Sequence, residues 1–145
     1  MTTARRVLVM LLAALTLIGG GIATAGAASA TSPQCNTYDA REYNKLVPYY
    51  SGGATARCYL SSGSTGDGVK ALQTALALCY GQDLGPYGID GVYGWRTVQA
   101  LKNVQAYHGI TADGRYGPQT HNTISFHGYG NGAGTPFCLP TIYKV

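Results

Sequence analysis

The sequence predicts a mainly α protein: a small three-helix domain with an internal repeat, flanked by irregular N- and C-terminal segments tied by disulfides. Three observations carry this. Residues 90–97 read DGVYGWRT and residues 113–120 read DGRYGPQT, so Asp, Gly, Tyr, Gly and Thr recur in place. Apolar side chains fall at helical spacing before the first copy and again between the two. Four cysteines, Cys35, Cys58, Cys79 and Cys138, form an even set in a chain that begins like an exported one.

Residues 1–30 are expected to be a signal peptide. MTTARR is a short basic start, VLVMLLAALTLI is apolar, and GGGIATAGAASA ends on Ala28-Ser29-Ala30, which places cleavage after Ala30. The strongly apolar part stops at Ile18, short of the roughly 20 residues that a spanning helix needs. The expected product is secreted, extracellular or cell-wall associated, with no membrane attachment once the signal is removed. About 115 residues then remain, enough for one compact domain. Residues 31–60 read as an N-terminal extension, 61–128 as the helical domain and 129–145 as a C-terminal tail.

In the extension, DAREYNKLV is expected to form a short helix capped by Asp39 and stopped before Pro48. PYYSGGATARCYL suggests extended chain around a Gly-Gly turn. In the domain, VKALQTALALC places Val69, Leu72, Ala75, Leu76 and Cys79 on one helical face, with Gly81 as terminator. Gln73 lies off that stripe, towards solvent or a neighbouring loop. A second helix, WRTVQALKNVQAYH, carries Val98, Leu101, Val104 and Tyr107 on its stripe, and Gly109 stands where a left-handed cap is wanted. The third, PQTHNTISF, starts with Pro118 at the first helical position and has Ile124 as its main apolar contact. The Gly-rich tail must fold back for Cys138 to find a partner. Two disulfides are expected, and all three pairings stay open.

The repeated phrase has a mechanical reading. Asp90 and Asp113 accept local backbone hydrogen bonds, and Gly91 and Gly114 adopt positive φ without strain. Gly94 and Gly117 let the chain bend into a helix, and Thr97 and Thr120 sit in the first helical turn with their hydroxyls near free backbone groups. These eight residues are expected to be structural turns that fix the angle between successive helices. Side chains that the turn does not require are candidates for ligand contact: Tyr93, Trp95 and Arg96 at the first copy, and Arg115, Tyr116 and Gln119 at the second.

VKALQTAL, then DGVYGWRTVQALKNVQAYHGI, then DGRYGPQT and Ile124 resemble, in order and spacing, the small peptidoglycan-binding domain found on secreted bacterial cell-wall hydrolases and on free-standing proteins. Val69, Leu72, Gln73, Asp90, Gly91, Tyr93, Gly94, Thr97, Gln105, Gly109, Ile110, Asp113, Gly114, Gly117 and Thr120 are in register with that pattern. The chain departs from it at Val104, where an aromatic is usual, and at His121, often a Trp. The resemblance covers roughly residues 61 to 127 and implies a three-helix module that binds peptidoglycan, through stem peptide or glycan, in a shallow groove between helices.

Composition agrees with such a partner. Only 11% of the chain is charged. Without Arg5 and Arg6, eight basic side chains face six acidic ones, which gives no case for nucleic acid. No catalytic set emerges. Glycoside cleavage uses two carboxyl groups in opposed protonation states, whereas Asp90 and Asp113 are committed to turns and Asp39 to a cap. Glu42 is the one remaining glutamate after the signal. His108 reads as a helix C-terminal residue, and His121 and His127 as solvent-facing, without the spacing of a zinc site. No G-x-S-x-G elbow occurs. The sequence therefore predicts a monomeric, non-catalytic binding module without metal or cofactor. A second reading from another class is a secreted protein-interaction or inhibitor module acting on cell-wall hydrolases.

Overall fold

A computed structural model describes residues 32–41, 44–130, 136–141 and 144–145. The expected signal peptide, Glu42 and part of the C-terminal tail lie outside the described residues.

The described chain is not a mainly α three-helix domain. It has three short helices, α1 (Asp67–Thr74), α2 (Trp95–Tyr107) and α3 (Pro118–His121). Beside them lie two antiparallel two-stranded sheets, β1 (Thr37–Asp39) with β2 (Val47–Tyr49), and β3 (Ser125–Tyr129) with β4 (Pro136–Pro140). Three of the four strands form in the flanks expected to be irregular, and β3 takes over the end of the expected third helix.

The first stripe is buried as its spacing requires, for Val69, Leu72, Ala75 and Leu76 are all fully inaccessible. The α-helix nevertheless gives way after Thr74 to a wider π turn over Ala75–Cys79, before Gly81 reverses the chain at φ 61°. On α2, Leu101 and Val104 are buried, whereas Tyr107 is 80% exposed and does not belong to the stripe. Gly109 closes α2 at φ 68°. The third helix is shorter than expected, because Ser125 and Phe126 pair with Leu139 and Pro140 instead of extending it. Phe126 then enters the core beside Tyr116 and Ile124.

Asp39 caps no helix. Thr37–Asp39 pairs with Val47–Tyr49, and the Asp39 carboxylate accepts the Arg41 backbone N–H at 3.0 Å, which folds a turn. This hairpin lies against α1, and its continuation meets the C-terminal sheet. Leu46 donates its backbone N–H to the His127 carbonyl at 2.9 Å, and Lys45 Nζ reaches the Pro140 carbonyl at 2.7 Å. His121 and His127 are therefore buried, at 2% and 4% exposure, rather than solvent-facing. The tail and the N-terminal flank close over them, and their positions in sequence gave no sign of that cover.

The pairing of the cysteines is Cys35–Cys58 and Cys79–Cys138, with sequence separations of 23 and 59. The first bridge ties the N-terminal flank to the strand-like segment ahead of α1. The second ties β4 to the end of the π turn. Loop-closure entropy assigns each about 3–4 kcal/mol of stabilisation. Peptide mapping of the unreduced protein is expected to recover these two linkages. A Cys58–Cys79 peptide would contradict this fold.

Candidate binding site

The two turn phrases are built by the same device. At the first, the Gln73 side chain rises from α1, fully buried, and fills the bend. Its Nε2 donates to Asp90 Oδ1 at 2.8 Å, to the Val92 carbonyl at 3.0 Å and to Thr97 Oγ1 at 3.2 Å, while its Oε1 accepts the Gly91 N–H at 2.8 Å. At the second, Gln105 from α2 does the same. Its Nε2 donates to Asp113 Oδ1 at 3.0 Å, to the Arg115 carbonyl at 2.9 Å and to Thr120 Oγ1 at 3.0 Å, and its Oε1 accepts the Gly114 N–H at 2.8 Å. Each Asp also accepts the N–H two residues on, from Val92 at 2.8 Å and from Arg115 at 2.9 Å. Gly91 and Gly114 take φ values of 78° and 70°, which a side chain would oppose. A primary amide suits this place because it offers donor and acceptor together, and both are matched to a closed loop.

The segment ahead of α1 runs beside both turns. Gly66 donates its N–H to the Gly91 carbonyl and Tyr93 donates its own to the Ser64 carbonyl, at 2.9 Å each, and Leu60 exchanges a pair with Tyr116 at 3.0 and 2.9 Å. The turns also touch one another, because Tyr93 Oη donates to the Gly114 carbonyl at 2.9 Å. Tyr116 is the repeat counterpart of Tyr93, and its hydroxyl meets His121 Nδ1 at 3.1 Å instead. Burial pushes both phenols well above the ordinary tyrosine range, with Asp113 adding to the effect at Tyr93.

The candidate contact residues therefore separate into groups. Tyr93 is a core residue whose hydroxyl is committed to the second turn. Trp95 is 70% exposed at the first turn, with the Arg96 guanidinium 4.8 Å from its ring centroid and held to Asp83 at 3.2 Å. At the second turn, Arg115, Tyr116 and Gln119 come together around an open cavity of about 300 Å³. Tyr116 supplies buried wall; Arg115 and Gln119 are exposed. Trp95 and Arg96 do not line this cavity. Tyr59 and Pro118 do, and sequence reasoning missed them. Nothing in the sequence around Tyr59 marks it, since it arrives from the N-terminal flank. Gln105 and Asp113 complete the wall through the clamp itself.

Comparison with known proteins places this arrangement. The family model for a peptidoglycan binding domain matches residues 65–124, a span that holds both glutamine clamps. A relative, the uncharacterized protein in the bpoA1 3' region of Kitasatospora aureofaciens, is 37% identical over 117 residues, which is 79% of this chain and 85% of that protein. The chain belongs to the peptidoglycan-binding domain family. The N-acetylmuramoyl-L-alanine amidase CwlL of Bacillus licheniformis is 43% identical over 93 residues, which is 59% of this chain but 26% of the amidase. The chain thus spans about a quarter of that relative's length. Among solved structures, the SleB N-terminal domain shares 36% identity and covers 46% of this chain and 88% of that domain, with a TM-score of 0.41.

Two outcomes follow from the clamps. Gln105→Leu keeps the volume but leaves the Gly114 N–H and the Arg115 carbonyl without the amide that satisfies them. It should lower stability by about 2–4 kcal/mol in urea unfolding. A loss below about 0.5 kcal/mol, the usual range for surface changes, would show that the amide does not hold the turn.

The second outcome concerns acid. The Val92 N–H, with the Gln73 amide next, holds the Asp90 carboxyl below the ordinary carboxylate range. Its folded pKa is depressed, so its contribution is complete above the unfolded value and disappears as pH falls through the folded one. Asp90→Asn retains an Oδ1 acceptor without the charge. The variant should lose less stability than the wild type between pH 6 and pH 3. Equal losses would contradict the assignment.

Proposed function

We propose that the protein is a secreted, non-catalytic module that binds cell-wall peptidoglycan at the second turn, with the exposed Trp95 and the neighbouring Arg96 as an additional contact. The observation that carries this reading is the cavity of about 300 Å³ beside the Gln105 clamp, walled by an aromatic ring, a guanidinium and a primary amide. A polymer of sugar and short peptide offers amides, hydroxyls and carboxylates, which these groups match. The cavity wall is held by the clamp, so little ordering is left to be paid on binding.

The carboxylates favour holding over cutting. One oxygen of Asp90 and one of Asp113 accept hydrogen bonds inside their own turns, which gives both carboxylates a turn-closing role. The relatives include cell-wall amidases far longer than the shared segment, which fits a binding role for the segment that is common to them.

Co-sedimentation of the purified protein with peptidoglycan sacculi tests this directly. The protein should pellet with sacculi, and Arg115→Ala should weaken retention about thirtyfold, the lower end of an interface hot spot. Trp95→Ala should weaken it less. Complete recovery of the wild type in the supernatant at low salt would contradict the proposal. Capture of a hydrolase from culture fluid without any wall polymer would favour the inhibitor reading instead.

A further inference from the structure

The second turn differs from the first in what stands over its second glycine. A side-chain carbon built on Gly94 would meet nothing within 4 Å, whereas one built on Gly117 would lie 2.6 Å from Cε1 of Tyr59. The Tyr59 ring therefore rests directly on the Gly117 backbone, and it can do so only because that residue lacks a side chain. Its main chain is held on both sides. Tyr59 N–H donates to the Pro33 carbonyl at 3.0 Å, and its own carbonyl accepts the Cys35 N–H at 3.1 Å. The neighbouring Cys58 is bonded to Cys35, and both are fully buried. Leu60 is paired to Tyr116 on the other side. Tyr59 lies outside the segment matched by the family model, so the disulfide-tied flank adds a wall that the repeat alone does not provide.

Arg115 lines the same cavity. No acidic side chain pairs with its guanidinium among the described residues, although it is exposed beside the cavity. Asp113, also in the wall, has Oδ1 engaged by Gln105 and by the Arg115 backbone N–H, so a ligand anion is directed to the Arg115 and Gln119 side. A guanidinium binds a carboxylate through paired hydrogen bonds, and a neutral sugar offers no such group. At about 300 Å³ the cavity is at the small end of ligand sites and suits one or two amino-acid residues.

Resting on the wall-binding reading above, we infer that this cavity is a subsite for the free carboxyl end of a wall peptide, in which Arg115 receives the carboxylate and Tyr59 covers the terminal residue. The Cys35–Cys58 bridge acts as a positioning element, since it fixes the backbone that carries Tyr59.

The test uses titration calorimetry on the purified protein with a short acetylated peptide ending in two D-alanine residues. The same peptide as its C-terminal amide and the L-alanine counterpart serve as comparisons. The free acid is expected to bind at least tenfold tighter than the amide and tighter than the L-ended peptide. Arg115→Gln should abolish the acid–amide difference. Tyr59→Ala should lose about tenfold, while Tyr59→Phe, which keeps the ring, should bind like the wild type. Gly117→Ala pushes the ring aside and should weaken binding even if Tyr59→Ala fails to fold. Equal binding of acid and amide, or unchanged binding by folded Tyr59→Ala, overturns the inference. Equal or tighter binding of the L-ended peptide overturns the assignment to wall peptide. Parallel sedimentation with sacculi separates the two levels. Retention on sacculi without acid-dependent peptide binding refutes the subsite alone, and no retention refutes the reading beneath it.

Discussion

A primary amide buried inside a glycine turn is the interaction on which the rest of this protein depends. An Asp-Gly bend followed by a helix start leaves several backbone groups pointing inward with no helical partner. In a domain of this size they cannot all reach water. Gln73 and Gln105 each meet one N–H and several acceptors at once, so the bends close without buried unsatisfied groups. Each glutamine comes from the helix preceding its turn, and it thereby also sets the angle of the helix that follows. The Thr hydroxyl of that next helix completes the ring.

Around this shared device the two copies have diverged. The first turn presents Trp95 to solvent with the half-buried Arg96 beside it, and its Tyr93 reaches inward to brace the second turn. The second turn instead meets the N-terminal flank at Tyr59 and Leu60, and its helix passes directly into β3. The sheets and disulfides complete a core that three short helices could not close alone. They also make the surroundings of the two turns unequal, and that inequality creates a cavity at one of them. The proposed binding site thus lies where the repeat is broken rather than in the repeat itself.

Much of the repeat could be read in the sequence. The positive φ of Gly91 and Gly114, the cap at Gly109 and the buried faces of the first two helices follow from local chemistry that a short window contains. The role of Gln73 was legible only in part, because its place off the apolar stripe left solvent and a neighbouring loop both open, and the fold selects the loop. The flanks were misread for a different reason. DAREYNKLV has helical composition, yet Val47–Tyr49 pairs with Thr37–Asp39 because its side chains gain burial against α1 and the C-terminal sheet. His121 and His127 read as polar surface until β4 and Thr141 cover them. Tyr59 was invisible as a site residue, since only the tertiary fold brings it to Gly117. In each case a contact distant in sequence decided the outcome.

Amide hydrogen exchange at Gly91 and Gly114 measures the central claim most directly. Both residues lie in glycine-rich bends, where open loops exchange quickly, yet each N–H donates to a buried glutamine oxygen. The account predicts protection at both positions comparable to that of the middle of α2. Exchange at the rate of an unprotected loop at either glycine would show that the amide does not lock the turn, and the rigid binding surface built on it would be contradicted.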